Sequence, residues 1–307
     1  MKRHWVLVAL AAGAVAAAAL WSYAERDYRP VFSRLAGELI EVRDSTWVGR
    51  GADGKMLTDV TLVSDTGMEV RLRVRAPDTL SGERFPAALL IAGYKQGRAA
   101  VSAPSETGNL VFASIDYPYD GPQRPSVWQW AWHLPEMRGA VIRTPAALLL
   151  AAQYLYTRDD VDPQRVSIIG VSLGVPFAAA AAATDRRLAS AMLLHGGADI
   201  RGMAAYAFAD TGAPWLVQLK AAAIALLVAP LEPGRYAGAI APRPTLMVNA
   251  TEDELMPRSS VVALYQATGR PKQLVWTASS HLGLDNPALI ANLMQIALEW
   301  MEENNLR

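Results

Sequence analysis

The 307 residues are 52% apolar and 19% charged, and Lys plus Arg and Asp plus Glu both count 29, for a formal net charge of zero. This composition supplies a core for one large domain or two small ones and excludes both a disordered chain and a basic nucleic-acid-binding surface. Cysteine is absent, which excludes disulfides, thiolate metal sites, a catalytic thiol and a lipoprotein-type acylation site.

At the N-terminus, Lys2, Arg3 and His4 precede an uncharged run over residues 5–23, and the next charge is Glu25. A basic stretch followed by an apolar one is the pattern of a secretory signal, and Ser22-Tyr23-Ala24 places small residues where a signal peptidase reads, so cleavage after Ala24 is expected. The run is also about as long as a minimal membrane-spanning helix, so an uncleaved anchor in an inner membrane through residues 5–23 is the alternative. Either places the rest of the chain outside the cytoplasm, periplasmic or secreted. Residues 1–24 are therefore set apart from a folded domain over 25–307.

That domain opens with alternation: Val60 and Leu62, then Val70, Leu72 and Val74, around the turn Ser64-Asp65-Thr66-Gly67, which predicts an antiparallel hairpin over 57–76. Short, almost wholly apolar runs follow at 87–92, 110–115, 166–169, 191–194 and 245–248, the look of strands covered on both faces. Between and after them lie helix-period stretches at 136–158, 173–183, 259–267 and 287–303. The alternation predicts an α/β fold: a mostly parallel sheet, an antiparallel N-terminal hairpin, and helices on both faces. Two segments break the alternation. Residues 117–133 carry Trp128, Trp130 and Trp132, and residues 199–240 form an Ala-rich insertion with Trp215. Insertions at strand ends of an open sheet build substrate sites. The first is expected to line a pocket and the second to form a helical cap; peripheral packing is the other reading of both.

Gly170-Val171-Ser172-Leu173-Gly174 follows an apolar strand and opens a helix, the setting in which Gly-x-Ser-x-Gly presents a nucleophile on a sharp turn. A serine between turn glycines can also be a helix cap. A hydroxyl needs a base to take its proton. In this arrangement the chain order is Ser, acid, His, and of His133, His195 and His281 only His281 follows both Ser172 and a further acidic strand end. His195 is left as a pocket-lining residue or a core histidine. Asn249-Ala250-Thr251-Glu252-Asp253-Glu254 must hold the acid; Asp253 is preferred, Glu252 is the runner-up, and Asp285 is too close to His281 in sequence. The oxyanion donors expected are the backbone N–H groups of Leu173 and of Tyr94, in Ala92-Gly93-Tyr94-Lys95-Gln96-Gly97. Such a site needs neither metal nor organic cofactor.

Assembled, these motifs resemble a bacterial alpha/beta hydrolase of the dienelactone hydrolase and acetyl-esterase neighbourhood, over roughly residues 55–305. The resemblance is carried by Gly93-Tyr94, the pentapeptide around Ser172, Asp253-x-x-x-Pro257 and Ser280-His281. It implies a serine hydrolase acting on a carboxylic ester through an acyl-enzyme, with a small acyl compound as substrate. Ala92 departs from the pattern, since many members have His there, and dienelactone hydrolases proper use the cysteine that this chain lacks. A small-substrate amidase or peptidase, and a non-catalytic envelope protein on the same fold, are the alternatives.

Overall fold

The computed structural model describes residues 15, 18–20, 22–78, 82–119, 121, 127–283 and 285–307, the side chains of 127–131 excepted. Among these no helix is long and apolar enough to cross a membrane; most of the expected leader over 5–23 lies outside the described residues.

Nine strands form one sheet in the order β1-β2-β3-β5-β4-β6-β7-β8-β9. The first three, β1 (Leu39–Arg50), β2 (Met56–Ser64) and β3 (Glu69–Ala76), are antiparallel, and β3 pairs antiparallel with β5 (Val111–Ile115). From there every neighbour is parallel, through β4 (Phe85–Ile91), β6 (Val161–Val171), β7 (Ser190–Leu194), β8 (Thr245–Ala250) and β9 (Lys272–Thr277). The apolar runs became these interior strands because helices cover both of their faces; every residue of β5, β7 and β8 is buried. The expected hairpin is β2–β3. In front of it β1 is an edge strand, almost wholly exposed, with three register shifts and charged side chains that discourage further pairing. Its residues bury too little to leave an apolar pattern, so the sequence did not disclose it.

One face of the sheet is covered by α1 (Arg29–Ala36), α2 (Val127–Thr157) and α3 (Gly174–Thr184), which share a core with β2–β7. Nine of the eleven α3 residues are buried, six of them the consecutive alanines 178–183, and these small side chains let the helix lie close to the sheet. The other face carries a short 3₁₀ turn (Gly97–Ser102) and a long C-terminal helix, numbered α8 below. Arg75, wholly buried, anchors the segment after that turn: it pairs with Asp53 at 2.7 Å and donates to the carbonyls of Val101, Pro104 and Ser105 at 3.0, 2.7 and 2.8 Å.

The insertion after β7 is helical, as expected: α4 (Ile200–Ala207) and α5 (Pro214–Leu227) pack on each other, and a short α6 (Pro233–Tyr236) leads back towards β8. After β8 and β9 come α7 (Arg258–Ala267) and α8 (Pro287–Glu303). The segment 117–133 is not a loop throughout. Helix α2 begins at Val127, nine residues before the helix-period stretch, and runs through Pro135 and Pro145.

Candidate active site

Strand order reverses at β4, because β5 lies on one side of it and β6 on the other. In open α/β sheets such a switch opens a crevice at the carboxyl ends of the strands. Ser172 stands there, at the end of β6. Its φ is +53°, in the left-handed region that non-glycine residues rarely adopt. Its N–H donates to the Leu194 carbonyl at 2.8 Å, and its own carbonyl accepts from the Val175 N–H at 3.0 Å, so the turn is fixed on both sides. The two glycines of the motif have separate reasons. A Cβ on Gly174 would lie 1.9 Å from the Ile91 carbonyl oxygen, and one on Gly170 would lie 2.6 Å from the Ala178 Cβ. Both positions therefore require glycine for close approach of helix α3 to β4 and β6.

The structure brings the three residues chosen from sequence together. Ser172 Oγ lies 2.7 Å from His281 Nε2, and His281 Nδ1 lies 2.9 and 2.8 Å from the two Asp253 carboxylate oxygens. An ionised carboxylate can only accept, so Nδ1–H donates to Asp253, Nε2 is left as an acceptor, and Ser172 O–H donates to it. The same oxygen Asp253 Oδ1 accepts from the Leu255 and Met256 amides at 2.9 and 2.8 Å. Burial pushes the Asp253 carboxyl up, but the hydrogen bonds from the His281 imidazole and the Leu255 amide outweigh it and hold the group well below the usual carboxylate range. Glu252 is exposed and its amide bonds to the Ser279 carbonyl, so Asp253 and not the runner-up faces the imidazole. Sequence reasoning missed Glu254, whose carboxylate accepts the His281 backbone N–H at 3.1 Å and braces the loop.

His195 lies in the core. It is completely buried, with φ +53°, at the end of β7. Its ring meets that of His281 edge-on at 5.5 Å, its Nδ1 accepts the Leu282 N–H at 3.2 Å, and the same nitrogen is 3.6 Å from Asp253 Oδ2, too far for a hydrogen bond. Accepting at Nδ1 leaves the proton of the neutral ring on Nε2, which is buried without a partner among the described residues. A buried donor left unpaired costs about 1–3 kcal/mol, and what His195 supports in return is the chain segment that carries His281. His195, Asp253 and His281 are also the one group among the described residues whose ligand atoms lie close enough, within 4.8 Å of one another, to hold a metal ion. The nitrogens Nδ1 of His195 and both ring nitrogens of His281 are already engaged in the bonds above.

Leu173 follows Ser172 directly and is the N-cap of α3, so its amide lies at the positive end of that helix. Tyr94 lies in the turn after β4, where the Gln96 N–H donates to the Gly93 carbonyl at 3.1 Å. The Tyr94 ring packs edge-on against Tyr117 and Tyr119, and its hydroxyl donates to the Tyr119 carbonyl at 3.3 Å. Of the three tryptophans expected at the rim, Trp132 stands 85% exposed on α2, while the side chains of Trp128 and Trp130 lie outside the described residues.

No family model and no curated protein matches the sequence. Solved structures match in shape. An acetyl xylan esterase from Paenibacillus sp. R4 superposes with a TM-score of 0.65 at 16% identity, covering 88% of this chain and 93% of the other. Acetyl xylan esterase 1 from Thermoanaerobacterium sp. JW/SL YS485 gives 0.61 at 15% identity over 89% and 94%. An alpha/beta hydrolase from Penicillium sp. sh18 gives 0.56 at 17% over 80% and 96%. With the parallel sheet, its antiparallel start and the helices on both faces, these likenesses establish that the chain has the alpha/beta-hydrolase fold.

Proposed function

We propose that this chain is a serine hydrolase that cleaves a carboxylic ester. The observation that carries the proposal is the unbroken hydrogen-bonded series from Ser172 Oγ through His281 to Asp253. Ser172 Oγ attacks the ester carbonyl carbon as His281 Nε2 takes its proton, and Asp253 holds the imidazole in the tautomer that can do so. The tetrahedral oxyanion is held by the Leu173 and Tyr94 amides. The carbon–oxygen bond to the alcohol then breaks, and His281 returns the proton to that alcohol. Water attacks the acyl-Ser172 ester by the same route and releases the carboxylic acid. Esterase names among the similar folds agree with this chemistry. We further propose that residues 1–24 direct export, as a cleaved signal or a retained anchor.

The test is hydrolysis of p-nitrophenyl butanoate beside the corresponding anilide, with fluorophosphonate labelling of the folded protein. Ester turnover should exceed that of the amide, label should fall on Ser172, and Ser172→Ala should lower kcat by at least about 10³-fold. Full activity in Ser172→Ala would end the proposal.

A further inference from the structure

We propose that the cavity between the sheet and α8 is the acyl pocket of this site, and that it selects an aliphatic acyl chain of about four to eight carbons; this rests on ester cleavage at Ser172. Four of its lining residues adjoin the site. Val171 precedes Ser172, Leu282 follows His281, Leu194 accepts the Ser172 N–H, and Ala92 precedes Gly93 and Tyr94. In this proposal the acyl chain of a group held on Ser172 Oγ enters the cavity past Val171 and Leu282.

The lining runs from there to Phe112 on β5 and Met294 on α8, and every lining side chain but one is apolar. The exception is Gln96, whose carboxamide oxygen would lie 2.5 Å from a Cβ on Gly93. Its polar head thus sits at the carbonyl end of the pocket, where a reacting ester is polar, and the far end is hydrocarbon. Small residues keep the space open: Ala100 and Ala103 on one side and Ala297 on the other. The Ala103 side cannot slump inwards, because Arg75 holds the carbonyls of Val101, Pro104 and Ser105. The cavity measures about 80 Å³. On that measure one water needs about 10–15 Å³, so the space holds roughly five to eight groups of the size of water or methylene. An acetyl group, with a single methyl, would leave most of it empty.

The test measures kcat/KM on p-nitrophenyl acetate, butanoate, hexanoate, octanoate and dodecanoate for the full chain, for Ala297→Leu, which fills the pocket, and for Met294→Ala, which lengthens it. Each buried methylene is worth roughly a factor of four. Hexanoate should therefore exceed acetate by about tenfold or more in the unaltered protein, with dodecanoate poor. Ala297→Leu should lower the hexanoate-to-acetate ratio by about tenfold, and Met294→Ala should raise the octanoate-to-hexanoate ratio. Acetate as the best substrate, or ratios that neither variant moves, would overturn the pocket while leaving esterase activity standing. Hexan-1-ol added to Ser172→Ala supplies a readout without catalysis: it should raise Tm, and should fail to do so in the Ser172→Ala, Ala297→Leu double variant. If that difference appears and no ester is turned over, the cavity binds aliphatic chains and the esterase proposal alone has failed.

Discussion

On one face of the sheet, α3 carries six consecutive buried alanines, residues 178–183, which let it pack closely both on β4, β6 and β7 and on the helices around it. On the other face, α8 places Leu293, Met294 and Ala297 over a cavity of about 80 Å³. Both faces are apolar, so hydrophobicity does not distinguish them; closeness of approach does. The tight face holds Ser172 in a backbone conformation it would not choose, since strain persists only where the surroundings over-determine it. The open face has no such turn to hold and can leave room for a ligand.

The largest effect should come from the tightest contact. Gly174→Val would drive a side chain into the Ile91 carbonyl, which lies 1.9 Å from the Cβ position, and should cost about 3 kcal/mol or more and abolish labelling of Ser172; urea unfolding and fluorophosphonate labelling measure both. Next, Ala179→Leu on α3 and Ala297→Leu on α8 add the same side chain to opposite faces. The first should cost about 1–3 kcal/mol by overpacking, and the second less than about 1 kcal/mol. Equal losses in urea unfolding would show that the two faces do not differ.

A smaller effect belongs to His195, at the junction of the two faces. His195→Phe deprives the Leu282 N–H of its acceptor, and kcat on p-nitrophenyl butanoate should fall by about tenfold with KM little changed. His195→Asn, which restores an acceptor, should recover most of that loss in kcat; a purely structural role would lower stability in both variants without this rescue. The smallest effect is on acid stability. The folded Asp253 carboxyl lies below its ordinary value of 3.8, so its contribution is present above that pH and is lost as pH falls from there towards the folded value. Tm of the unaltered protein should therefore fall more steeply below pH 3.8 than that of Asp253→Asn, and parallel curves would contradict the assignment.

Much of this was legible in the residues themselves. The interior strands announce themselves as apolar runs because both of their faces are covered. Gly170 and Gly174 flank Ser172 because helix and strand must approach there. With so few histidines, chain order alone singled out His281. Asp253 was less legible: three carboxyl-bearing or amide neighbours crowd its loop, and only the fold shows that it, and not Glu252, faces Nδ1 of His281. Edge strand β1 left no apolar rhythm to read, and Trp132 lies on a helix that begins earlier than its periodicity suggests.

The sequence by itself determined the alternation of interior strands and helices, the turn that presents Ser172 and the identity of its histidine, since these are local patterns or follow from chain order. Tertiary structure alone decided how His195, Glu254 and the α8 cavity relate to that serine. His195 reaches Leu282 across 87 residues, and Ser172 reaches His281 across 109. Contacts of that range depend on how closely layers pack, which in this protein is set by alanines on one face and by the space left above them on the other.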